Sequence, residues 1–296
     1  EFLAHDMLDR EKFEKTLMLI TNLTTRDAGQ MFEKETSAIE LLAKENPEAV
    51  KELHLLLYRM EEERFTNAII NNRQAGATEH ILKAGEYLVH YFLKHLLRLS
   101  INNRINEFSF NVSSDVNLLD SVIKNLDMNK VLAYMESNNI EHSIHIKLLY
   151  YAMLCNFNVN DNSSYISFKE LLFSSKEKLT KIEFQHLLHL LESVIAQKIN
   201  SGKLEFYNDL HETYDYELKN DMYKPSKQAP LTVMKYRNIY LSALKAGKFD
   251  WAERFILDYR DDLQKQDRQS IVELSMAQKK KKKRNFEETL SHLQKV

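Results

Sequence analysis

Glycine and proline are nearly missing from this chain, with 5 and 3 among 296 residues, where average usage gives roughly 35 for the two together. Sheets and barrels need turn residues at short intervals, and phosphate loops need glycine where backbone meets ligand. A β-rich fold and a glycine-rich nucleotide loop are therefore excluded, leaving helices joined by short polar turns. Cysteine is equally scarce. The one thiol, Cys155, excludes an intramolecular disulfide framework and a cysteine-based zinc site. Its apolar setting, Leu148 to Leu154, predicts a buried structural thiol. Long apolar runs are lacking too: Tyr87 to Leu99 is broken by His90, Lys94, His95 and Arg98 and falls short of the ~20 residues of a membrane span. Neither sign of charge dominates, and the net charge of −2 draws the chain to neither nucleic acid nor membrane. There is no nucleophile elbow, phosphate loop or His-Glu-x-x-His motif. The chain is accordingly read as non-enzymatic, without cofactor or metal. It opens at Glu1 rather than Met, which predicts a fragment or processed product, and a cytoplasmic location is expected.

What is present is helical periodicity in a chain that is 44% hydrophobic, enough for a sizeable core. Phe13, Leu17 and Ile20 share one face of a first helix, and Asn46-Pro47 marks a fresh helix start. Gly76 and Thr78 separate the next helix from a segment, Glu79 to Leu99, that is apolar over most of its circumference and is expected to lie centrally. Ser100 to Ser114 reads as a connection. Two short helices come next at 115–125 and 127–137, with too little positive charge to read DNA. From Ser143 the pattern is a series of hairpins: 143–156 with 165–178, 181–200 with 203–219, 232–246 with 248–261, and 267–283 with 285–296. The expected organisation is an N-terminal helical region at 1–141, a hairpin array at 142–220 and a final pair of hairpins at 232–296. Pro225 and Pro230 mark a flexible joint at 221–231.

A repeat frame stands out near the C-terminus. In Gly247-Lys248-Phe249-Asp250-Trp251-Ala252 a glycine reverses the chain, an aromatic wedges between two helices and a small alanine permits close helix contact. The frame recurs about 37 residues on, where Phe286 matches Phe249 and Thr289 matches Ala252, with Arg284 replacing the glycine. A fainter echo begins at Gly202. With Tyr236, Ile239, Tyr240 and Ala243 on the preceding helix, this resembles the tetratricopeptide repeat, a helix–turn–helix unit with a period near 34. The resemblance covers residues 233–296. It implies an all-α, right-handed superhelix of antiparallel hairpins, a solenoid whose concave face binds a peptide or protein. On that reading Tyr236, Tyr240 and Ala243 line the partner surface.

Three other features carry candidate chemistry. The run Lys279, Lys280, Lys281, Lys282, Lys283 and Arg284 is read as a solvated helix end; the alternative function is contact with nucleic acid or an anionic surface. Glu183-x-x-His186-x-x-His189 places three potential metal ligands, one carboxylate and two imidazoles, on one helical face. A carboxylate-bridged bundle site needs a second such motif and further inward carboxylates, so the face is read as solvated and not as a metal site. His142-x-x-His145 is a weaker version. His90 and His95 are expected as hydrogen-bonded core or groove histidines, and the tyrosines near the proline joint as packing between hairpins.

Overall fold

In the computed structural model every regular element among the described residues is helical. The described residues are 14–24, 29–45, 53–71, 74–112, 117–140, 143–224 and 229–282. They form two compact units: Glu1–Phe157 with Ser167–Phe184, and Asn158–Ile166 with Gln185–Val296. The division falls within 158–184.

The first unit begins with α1 (14–24), α2 (Gly29–Glu45), α3 (Leu53–Ile70) and α4 (Gln74–Phe110). Leu17 and Ile20 face inward as expected, and Ile20, Leu23, Phe32, Ile39, Leu57 and Met60 make one core cluster. Helices α3 and α4 run antiparallel. His54 stacks on His90 with ring centroids 3.9 Å apart, while a turn or two away Glu61 accepts from His80 at 2.7 Å. Glu61, 2% exposed on its side chain, also meets Arg64 at 3.1 Å, so its buried charge is compensated. The break expected at Gly76 and Thr78 falls earlier, between Ile70 and Gln74, and both residues lie in the first turns of α4. Nor is Ser100 to Phe110 a connection. Leu93, Leu97 and Ile101 continue the buried stripe, and Asn103 and Arg104 hold Glu107 at 2.8 Å, so polar side chains carry a helix that apolar periodicity alone does not reveal.

Two short helices follow, α5 (Leu118–Asn125) and α6 (Met128–Ser137); α6 starts within a residue of the expected position and α5 three residues later, because Asn117 and Asp127 each accept a backbone N–H three residues on, at 3.2 Å. Then come α7 (Ser143–Phe157), α8 (Asn162–Ser174) and α9 (Lys181–Asn200). Cys155 is buried in α7, as its setting predicts.

The second unit continues with α10 (Tyr207–Lys219), α11 (Val233–Lys245), α12 (Phe249–Asp258) and α13 (Arg268–Lys282), and in this series each helix packs on the next. Glycine appears where the backbone demands it. Gly202 and Gly247 have φ of 97° and 76°, and around Gly247 the Lys248 N–H returns to Ala243 O at 2.8 Å while its own N–H meets Leu244 O at 3.3 Å. That pair of bonds closes a helix with a left-handed residue. The segment 221–231 is tied at both ends to one residue. Tyr223 Oη and Lys224 Nζ donate to the Asp262 carboxylate at 2.8 and 2.7 Å, and Leu231 N donates to Asp262 O at 2.8 Å.

A buried cation organises the start of this unit. Lys198, with no solvent exposure, donates to Val159 O at 2.8 Å, Asp161 O at 3.1 Å and Asn162 Oδ1 at 3.0 Å. Its ammonium also stands 5.3 and 5.2 Å from the ring centroids of Tyr165 and Phe206. Lys198→Met fills the same space but removes the donor from three part-buried oxygens. A fully buried acceptor left without a donor costs about 1–3 kcal/mol, and water reaches part of these, so urea unfolding should show a loss of about 1–3 kcal/mol in total; an unchanged midpoint would reject this role.

Candidate functional site

The residues expected to line a partner surface are core residues. Tyr236, Tyr240 and Ala243 are 0%, 1% and 0% exposed. Tyr236 Oη donates to Ile256 O at 2.7 Å and Tyr240 Oη to Gln278 Oε1 at 2.8 Å. The i, i+4, i+7 spacing defines a face correctly, but α12 and α13 cover that face, so no partner can read it. Gly247 makes the turn, Phe249 begins α12 half-buried and Ala252 is fully buried. Phe286 and Thr289 lie outside the described residues.

The basic run is not a uniform solvated surface. Lys279 is 1% exposed and paired with Glu253, and Lys280 is half-buried. The side chains of Lys281 and Lys282, and all of Lys283 and Arg284, lie outside the described residues. A patch that starts with a buried, neutralised lysine has fewer charges to offer phosphates.

Nor does Glu183-x-x-His186-x-x-His189 form one solvated face. Thr180 and Glu183 make a reciprocal cap at the start of α9. Glu183 N donates to Thr180 Oγ1 at 3.2 Å, and Thr180 N donates to Glu183 Oε2 at 3.1 Å. The other oxygen, Oε1, lies 3.1 Å from His145 Nδ1, an imidazole that is 4% exposed on its side chain. A cavity of about 590 Å³ opens beside this pair, lined in part by Asn139, Ser143, Ser174 and Lys178. His186 is half-buried, and His142 lies outside the described residues. His90 is buried against His54, while His95 sits 3.2 Å from Arg98 Nη2.

His189 instead faces a different set of groups. Its Nε2 lies 3.8 Å from Glu217 Oε1. Glu217, on α10, is 1% exposed. Glu192, one turn beyond His189 on α9, accepts Lys235 Nζ at 2.7 and 2.8 Å through its two oxygens. The same ammonium is 2.7 Å from Glu217 Oε2, although that oxygen receives no aligned hydrogen bond. Lys235 also stands 4.5 Å over the Tyr214 ring. Two carboxylates thus share one ammonium. Burial first, and the Glu192 charge second, push the Glu217 carboxyl up to about 8 against the opposing pull of Lys235. Sequence reasoning missed Glu192, Glu217 and Lys235. The available signal was a His-x-x-Glu pair on one helix with an inward Glu on the next.

An extended exposed apolar row lies on α4. Ile81, Leu88, Phe92 and Leu99 recur at i, i+7, i+11 and i+18 and are 43%, 42%, 47% and 46% exposed, with Leu82 and Val89 beside them at 63% and 50%. The expectation of a central helix holds for one side only. Leu93, Leu96 and Leu97 are buried, whereas the opposite face meets water. No family model, curated protein or solved structure matches this chain.

The His145–Glu183 pair sets a pH dependence. Burial opposes ionisation of Glu183, but the hydrogen bond and charge of His145, the Thr180 N–H and the Lys94 charge outweigh it and hold the carboxyl well below the usual range. A carboxyl depressed on folding stabilises fully above its unfolded value near 4.5 and loses that contribution as pH falls below it. Glu183→Gln keeps the cap, because glutamine serves equally in this box. Its melting temperature should be lower at neutral pH, with a gap from wild type that narrows as pH drops from about 5 to 3. Parallel curves would mean that the Glu183 charge contributes nothing to stability.

Proposed function

We propose that this chain is a non-enzymatic interaction module built from antiparallel helical hairpins in a right-handed superhelix, and that it docks an apolar-faced helix of a partner protein on the exposed stripe of α4. The stripe carries the reading. A run of apolar side chains at helical spacing over Ile81 to Leu99, each about half-exposed, is the surface that helix-in-groove recognition uses. Exposed apolar residues scattered singly need no explanation, but a contiguous row does. Covering such half-exposed side chains is worth on the order of 1 kcal/mol each.

Gly85 supports the same reading. It sits within the stripe, between Ile81 and Leu88, and a Cβ built there would meet nothing within 4 Å. A glycine inside a helix costs about 1 kcal/mol relative to alanine. Neither left-handed backbone nor intramolecular crowding calls for it, whereas close approach of a partner backbone does. Gly85→Ala should therefore stabilise the free chain by about 1 kcal/mol.

Leu88→Glu and Phe92→Glu should leave stability within about 0.5 kcal/mol, since both positions are exposed, and should abolish docking. A photoreactive residue at position 88 or 92, irradiated in the native host, should join the chain to an amphipathic helix of a different protein. The glutamate variant of the companion position should suppress that adduct. Adducts formed only with a second copy of this chain, or none at all, would overturn the proposal.

A further inference from the structure

We propose that His189, Glu192 and Glu217 form a site for one divalent transition-metal cation of the zinc type. One ligand atom from each residue lies within 4.8 Å of the others. A tetrahedral zinc ion with bonds of about 2.0–2.1 Å sets its ligands roughly 3.4 Å apart, and the 3.8 Å from His189 Nε2 to Glu217 Oε1 is already within a few tenths of that. One imidazole and two carboxylates are a ligand set that zinc accepts and that magnesium, which prefers oxygen alone, does not.

Two observations distinguish the cluster from an ordinary acidic surface. Glu217 is 1% exposed, and its Oε2 shares the Lys235 ammonium with Glu192. Its Oε1 is turned instead to His189 at 3.8 Å, beyond hydrogen-bonding reach of that ring. That leaves one oxygen of a buried carboxyl and one imidazole nitrogen facing each other at a spacing that a metal ion can bridge. Lys235 contacts both carboxylates, and a bound cation would take the place of the proton that burial and the Glu192 charge favour on Glu217. Lys235 also orients both, as a supporting group behind a metal ligand does. His189, 59% exposed on its side chain, supplies the entry side and leaves the fourth coordination position to water.

Zn²⁺ added to metal-free protein should bind at one ion per chain by titration calorimetry, and Co²⁺ should show the visible absorption of a tetrahedral site. His189→Ala and Glu217→Gln should each weaken binding at least about tenfold, whereas His186→Ala should leave it unchanged. His189 is exposed, so its variant tests the site even if Glu217→Gln fails to fold, and circular dichroism reports that failure. No saturable one-to-one binding, or binding that survives His189→Ala, would overturn the proposal and leave an adventitious ion only.

Discussion

A fully buried ammonium must be solvated by the protein itself, and Lys198 meets that demand with oxygens drawn from the turn that leads into α8. Its three oxygen partners come from residues 159–162, so the charge fixes the start of α8 against the end of α9. Its own carbonyl accepts Lys203 N–H at 3.1 Å across the Gly202 turn, so the same residue fixes where α9 stops. The rings beneath the ammonium, Tyr165 and Phe206, meet edge to face with centroids 5.1 Å apart. Tyr165 Oη then donates to Asp209 Oδ2 on α10 at 2.7 Å. Register passes in this way from α8 to α9 to α10. That register brings Glu217 opposite His189 and Glu192. Removing one partner of such a buried charge costs far more than the net worth of the contact, so the polar centre makes the helix alignment specific as well as stable.

The shortage of glycine has a second structural consequence. Helices that reverse direction often take a left-handed residue after the last turn, and Gly202 and Gly247 supply two. Elsewhere Asn139 and Asp221 take φ of 51° and 52°. At Asn139 the Ile140 N–H returns to Met135 O at 2.8 Å, and at Asp221 the Met222 N–H returns to Glu217 O at 2.8 Å. These repeat the bond that closes α11 at Gly247. Asparagine and aspartate tolerate the left-handed region better than other side-chain-bearing residues. A chain poor in glycine therefore still turns tightly, and counting glycines alone underestimates its hairpins.

Much of the helix order is legible because apolar spacing and capping residues act locally. Asn117 and Asp127 announce α5 and α6, and Thr180-x-x-Glu183 announces α9. Legibility fails where the deciding contact is distant. The stripe through Tyr236 and Tyr240 identifies a face but not whether another helix covers it. The apolar girth of α4 suggests burial all round, yet one side stays in water. Beyond Leu99 that helix continues on Asn103, Arg104 and Glu107, polar residues whose pairing is invisible to a hydrophobic pattern. The histidine motif fails for a related reason. Glu183, His186 and His189 are neighbours along one helix, but their partners come from elsewhere: His145 for the first, and Glu217 on α10 for the last.

The single tryptophan has a practical meaning for anyone who unfolds this chain. Trp251 belongs to the second unit. Its indole donates to Asp215 Oδ1 at 3.0 Å, stacks on Phe255 with centroids 5.6 Å apart and meets His211 edge-on at 4.5 Å. Its fluorescence therefore reports on one unit and is blind to the other, while far-ultraviolet ellipticity averages over all the helices. Coincident transitions in the two signals would mean that both units melt as one cooperative body, and separated transitions would assign an order to their loss. A scarcity in the composition has placed a natural, unit-specific probe in the molecule.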